Sequence, residues 1–116
     1  MDKNIFVSTS KMHPMRWQIA FPQAEILKSV PVNLPVGSIV WLHNLRPGGI
    51  RPAGVRFVVM DDEPGDDKGM EALAQGASGY CNAHATPELF HTIESVIRSN
   101  GLWVGESLLN RLVDGI

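Results

Sequence analysis

The chain has 116 residues, 44% of them hydrophobic and 19% charged, with a formal net charge of -2. That length and balance describe one folded domain with a core of its own and exclude a disordered chain. The charge excludes whole-domain attraction to nucleic acid or anionic membrane, and the single cysteine, Cys81, excludes an internal disulfide or a multi-cysteine metal site.

No apolar run approaches the ~20 residues of a membrane helix. The start, Met1-Asp2-Lys3-Asn4, carries no signal-peptide pattern. With a lone thiol, this leads us to expect a cytoplasmic domain without membrane contact.

Ile5 to Thr9 is a short β-rich run and the first expected strand. A short helix follows between His13 and Phe21, limited by Pro22. Glu25 to Val30 is the second expected strand. Pro31 and Pro35 then argue against any helix before Gly37. Ser38 to His43 is a continuous apolar run between Gly37 and the Arg46-Pro47-Gly48-Gly49 turn, as in a buried central strand. Val55 to Met60 is a further strand, and the Pro- and Gly-rich stretch from Arg46 to Gly54 leaves no room for a helix between the two.

The acidic loop Asp61 to Asp67 ends in helix-starting chemistry, with Asp66 or Asp67 as N-cap. Met70, Leu73 and Ala74 share a helical face, and Gly76 closes that helix. Ser78 to Asn82 reads as a strand. Thr86-Pro87 opens a helix with an N-cap and a proline at its first position, and Leu89, Ile93, Val96 and Ile97 form its apolar face. Ser107 to Val113 is a last amphipathic segment. The order is α/β, with helices missing where a doubly wound sheet needs them.

The stretch Gly76-Ala77-Ser78-Gly79-Tyr80-Cys81-Asn82-Ala83-His84-Ala85-Thr86-Pro87-Glu88-Leu89 resembles the end of a response-regulator receiver domain. The family text there is Gly-Ala-Ser-Gly-Tyr-Leu-Leu-Lys-Asp-Ala-Ser-Pro-Glu-Glu-Leu. The likeness runs from about Val36 to Val113. It implies a five-stranded parallel, flavodoxin-like sheet whose second and third helices are reduced or missing. Gly101 to Leu109 is similar to the segment after the last receiver helix in LuxR-type regulators. The resemblance leaves two alternatives for the single domain 1–116: a lone receiver-like protein, or one that passes after about residue 105 into a linker toward a DNA-binding output domain.

Receivers use two acidic residues after the first strand, an Asp after the third, a Ser or Thr after the fourth and a Lys after the fifth. In this chain Lys11 and Met12 fall at the acidic pair, before the matching His13-Pro14. His43 falls at the nucleophile, Asp61 at the hydroxyl position and Ala83 at the lysine. A cation and a thioether do not bind Mg²⁺, and Asp61 repels a phosphoryl group. The resemblance thus implies a receiver without a phosphorylation cycle, with no catalytic residue and no cofactor. Its partner surface would be Met70, Glu71, Ala74, Tyr80, His84, Glu88, His91 and Glu94.

Loss of two helices predicts an uncovered apolar sheet face, and with it a symmetric dimer. His43, Asp61 and His84 suit a transition metal chemically, yet their spacing matches no metal signature. A drifted pocket without metal is expected, with a small-ligand or metal-responsive sensor as the alternative. Cys81 reads as a core residue, and Trp17, Trp41 and Trp103 as core or interface anchors. Gly48-Gly49 with Arg46 and Arg51 reads as a tight turn rather than an anion cradle. The function expected is protein–protein contact in bacterial signalling or transcription control. The partner would be a second copy, another signalling protein or an attached DNA-binding domain, and the segment itself would not touch nucleic acid.

Overall fold

Runs rich in Val, Ile and Phe form parallel strands buried on both faces, as such runs do when helices or loops cover each side. The strands are β1 (Lys3–Val7), β2 (Glu25–Leu27), β3 (Ser38–His43), β4 (Arg56–Asp61) and β5 (Gly79–Asn82). The helices are α1 (Met15–Ala20), α2 (Asp66–Ala74), α3 (Pro87–Arg98) and α4 (Glu106–Asp114). The computed structural model describes residues 3–49 and 52–114, so Arg51 lies outside the described residues. The sheet has five strands in the order β2-β1-β3-β4-β5, every pair parallel. That is the flavodoxin-like order. Among the described residues no helix lies between β2 and β3 or between β3 and β4. None is long and apolar enough to cross a membrane.

One face packs under α1 and α3. Its centre is aromatic: Phe6 stacks on Trp17 at 4.9 Å, and Trp41 meets Phe90 edge-on at 5.3 Å. Such pairs add about 0.5–1.5 kcal/mol each beyond the area they bury. Cys81 lies in this core, where burial pushes its thiol up to about 12.

The second face corrects the expectation of an uncovered sheet. Ile5, Val7, Val40, Leu42, Phe57 and Val59 are all buried within the single chain. Leu34 and Leu45 from the helix-free loops cover them, together with Ala72 and Leu73 of α2 and Leu108 and Leu112 of α4. Short loops carrying one inward leucine each replace the missing helices. An exposed sheet face therefore gives no reason for a dimer.

The segment after residue 105 forms α4 and packs on the domain. Trp103 pairs with the outer edge of β5, where its carbonyl accepts the Tyr80 N–H at 3.1 Å and its N–H bonds the Ser78 carbonyl at 3.0 Å. α4 then packs on α2. A Cβ on Gly69 would lie 2.6 Å from Leu108 Cδ2 and 2.9 Å from Tyr80 Cδ2, so only glycine admits this approach. The inward side of α2 is thus Gly69, Ala72 and Leu73, while Met70 and Ala74 are exposed. Gly65 is the N-cap, with no side-chain bond, and Asp66 and Asp67 occupy the first turn. There they favour the helix dipole and reach α4, Asp66 through Ser107 and Asp67 through Arg111. α3 starts as its sequence predicts, with Thr86 Oγ1 accepting the Leu89 N–H at 3.2 Å.

Candidate functional site

Doubly wound sheets bind ligands beyond the carboxyl ends of their strands. In this chain two separate polar networks occupy that edge. Strand alternation assigns each to one side of the sheet.

Asp61 ends β4 and is 4% exposed. Like Val59, it points toward the α2 side. A buried carboxylate costs several kcal/mol unless it is paired and hydrogen-bonded, and both requirements are met. Arg46 grips it with two bonds of 2.9 Å, and the Tyr80 hydroxyl donates to Oδ2 at 2.7 Å. The bond to Asp61 raises Arg46 above its ordinary value. Burial, then the bond to Asp61, pushes Tyr80 up to about 12. The Tyr80 oxygen also accepts the Gly65 N–H at 3.1 Å, which ties the start of α2 to the same group.

His43 ends β3 and points to the α1 side. Its Nδ1 lies 2.8 Å from Ser8 Oγ, and its Nε2 lies 2.8 Å from Asp62 Oδ1. An ionised carboxylate only accepts. The network therefore assigns the neutral ring's proton to Nε2, and Ser8 donates to Nδ1. Asn44, left-handed at φ 56, donates to Asp62 Oδ2 at 3.0 Å and accepts the Asp62 N–H at 2.9 Å. These bonds, Asn44's first and then His43's, hold the Asp62 carboxyl below its usual range. His84 Nε2 reaches the same Asp62 Oδ1 at 3.1 Å.

The order Ser8–His43–Asp62 is that of a nucleophilic relay. Ser8, however, is 2% exposed and its oxygen accepts the Ser10 N–H at 3.2 Å. A hydroxyl so enclosed presents no attacking atom to a substrate; it joins the loops after β1, β3 and β4. Trp17 packs beside His43. Its Nε1 donates to the Ala83 carbonyl at 2.8 Å, and its ring meets His43 edge-on at 5.0 Å.

His43, Asp61 and Ala83 thus stand at the carboxyl edge as the sequence predicts. Lys11 and Met12 do not. They lie on the exposed loop after β1, Met12 at 84%, with no bond to either network. The residue that follows β1 directly is Ser8, because three residues beyond the expected spacing separate the strand from His13-Pro14. His43, Asp61 and His84 do not converge either: both histidines meet Asp62, while Asp61 faces Arg46 and Tyr80. Among the described residues no group of three or more His, Cys, Asp or Glu is placed to hold a metal ion.

The expected partner surface is also divided. Tyr80 is buried, its ring packed under α2 and α4. Glu94 is half-buried and accepts from Asn4 and Arg98. His91 donates to the Ala20 carbonyl. Met70, Glu71, Ala74, His84, Glu88 and His91 are exposed, and Trp103 pairs with the edge of β5. In the glycine turn, Gly48 N–H bonds Gln75 Oε1 at 3.2 Å, and Arg46 is committed to Asp61.

Ser8, Asn44, Asp62 and the Trp17 bond escaped the sequence reading. The signal for Ser8 was its place directly after an apolar strand. For Asp62 it was adjacency to Asp61, since a one-residue step reverses the face a side chain meets. In comparisons with family models, curated proteins and solved structures, nothing matches this chain.

Proposed function

We propose that this domain is a receiver-like interaction module without a phosphorylation cycle, acting by protein–protein contact in bacterial signalling or transcription control. The flavodoxin-like strand order and the Gly76–Leu89 likeness support it. The observation that carries it is Trp17. Its indole bonds the Ala83 carbonyl and packs against His43, so the protein's own side chain takes the space a phosphoryl group would need between those positions. Incubation with acetyl phosphate and Mg²⁺ tests the reading: the intact mass stays unchanged, whereas a stable phosphoryl adduct overturns it.

Contact with a second copy or another signalling protein is supported by Met12, Met15 and Ile19. They are 84%, 76% and 58% exposed along α1 and its lead-in. Large apolar side chains grouped on one surface mark interaction sites. Sedimentation of the wild type and of a Met15→Gln/Ile19→Gln variant tests this. Loss of association in the variant supports it, and a monomeric wild type at micromolar concentration removes the dimer.

A small-ligand sensor is the second reading. A cleft of about 440 Å³ between Asn44, Arg46, Asp62 and Lys68 favours it. It lies at the carboxyl ends of β3 and β4, where this fold class binds ligands. Thermal shifts across divalent ions and small metabolites test it, and a saturable rise in the midpoint moves this reading ahead of the first.

A further inference from the structure

A second cleft, of about 260 Å³, lies beside the carboxyl ends of β1 and β2 and outside both networks' carboxylates. Two lysines line it, Lys11 from the loop after β1 and Lys28 just beyond β2. Among the described residues neither pairs with a carboxylate, and no Asp or Glu lines the cleft. The neighbouring cleft at β3 and β4 is the opposite case, bordered by Asp61, Asp62 and Glu63.

The loop that carries Lys11 is held in shape by its own bonds. Ser10 Oγ donates to the Met12 carbonyl at 2.9 Å and accepts the Met12 N–H at 3.3 Å. His13 Nε2 bonds the Ser10 carbonyl at 2.9 Å, and its ring stacks on Trp17 at 5.7 Å. The hydroxyls of Ser8 and Ser10 are engaged in these bonds, so recognition at this cleft falls to the two lysines. Ile26, which packs on the core under α1, gives the cleft an apolar lining.

Two unpaired lysines at a preshaped cleft without acid attract a compact dianion, because each ammonium binds phosphate as a point charge. We infer that this cleft binds the phosphate group of a small anion between Lys11 and Lys28. The inference stands independently of the receiver-like reading. The source is either inorganic phosphate or a short phosphomonoester whose alkyl part lies on Ile26.

Amide NMR titration of the full chain with inorganic phosphate, against chloride at matched ionic strength, tests it. Saturable shifts are expected at Ser8 to His13 and at Lys28, with a dissociation constant in the millimolar range. Lys11→Gln and Lys28→Gln should each weaken binding about three- to fivefold, the strength of a partly exposed charge pair. The double variant should abolish it. Arg111→Gln, at a surface arginine paired with Asp67 and lining neither cleft, should leave binding unchanged. Tighter binding of propyl phosphate than of phosphate identifies a phosphomonoester, and equal binding identifies the inorganic ion. Shifts that do not saturate, or that fall equally in Lys11→Gln and Arg111→Gln, overturn the proposal.

Discussion

Removing Arg46 should cost more than removing its partner, because the two ends of the ion pair differ in burial. The Asp61 side chain is 5% exposed and that of Arg46 21%. In Arg46→Ala the carboxylate stays in the interior and keeps only the Tyr80 hydroxyl. Stranding a buried charge in this way costs about 3–5 kcal/mol. In Asp61→Asn the Tyr80 hydroxyl keeps an amide oxygen to donate to, and Arg46 turns toward water and Glu71, already 3.8 Å away. That loss should be about 1–3 kcal/mol, the range for a buried bond removed. The double variant should lose less than the sum, with a coupling of about 0.5–3 kcal/mol. Urea unfolding at pH 7, followed by tryptophan fluorescence and far-UV circular dichroism, measures all three. For a domain of about 5–15 kcal/mol total stability, the single arginine change is a large fraction. A loss below about 1 kcal/mol in Arg46→Ala is the behaviour of a solvated surface pair. That result, or a larger loss in Asp61→Asn, refutes the argument from burial.

Trp17→Phe keeps an aromatic ring against Phe6 but leaves the buried Ala83 carbonyl without its donor and opens space beside His43. A loss of about 2–4 kcal/mol follows, and an unchanged urea midpoint contradicts it. Gly69→Ala sets helix propensity, which favours alanine by about 1 kcal/mol, against an overpacking cost of about 1–3 kcal/mol. Because the Tyr80 ring stands 2.9 Å from the new Cβ, the net change should be destabilising, and a raised melting temperature contradicts the close packing of α4 on α2. At high pH, Tyr80 and Cys81 act together: their ordinary values of 10.0 and 9.0 are each raised to about 12 in the fold. Their stabilising contribution is complete below pH 9 and is lost as pH rises toward 12, so melting temperature should fall across that window, less steeply in Tyr80→Phe. At low pH, Asp62 acts in the other direction. Its value is depressed below 3.8, so its contribution is present above 3.8 and disappears as pH falls through the lower folded value. Asp62→Asn should flatten that part of the profile.

Much of the scaffold was legible from local patterns. The buried strands announced themselves as unbroken apolar runs, Ser38–His43 among them, because a parallel strand covered on both faces needs no polar alternation. Thr86-Pro87 marked the start of α3 because capping chemistry acts within one turn. His43 was placed at the carboxyl edge because it ends an apolar run, and Asp61 because it follows one.

Tertiary structure decided what those residues face. Asp61, the last residue of β4, points to the α2 side and meets Arg46 and Tyr80, whereas Asp62, one step on, turns to the histidines. Nothing in the local sequence chooses between neighbouring aspartates, because the choice depends on which side chains the two sheet faces bring near. The cover of the second face is likewise non-local. Leu34, Leu45 and Leu108 lie far apart along the chain and meet only once the sheet has formed beneath them. The sequence by itself determined the strands, α3 and the α/β class, since these follow from periodicity and capping over a few residues, while the parallel flavodoxin-like sheet was what the receiver resemblance implied. Which carboxylate pairs with which base, and what shields the apolar sheet, followed from long-range packing, where contact energies rather than local propensity set the outcome.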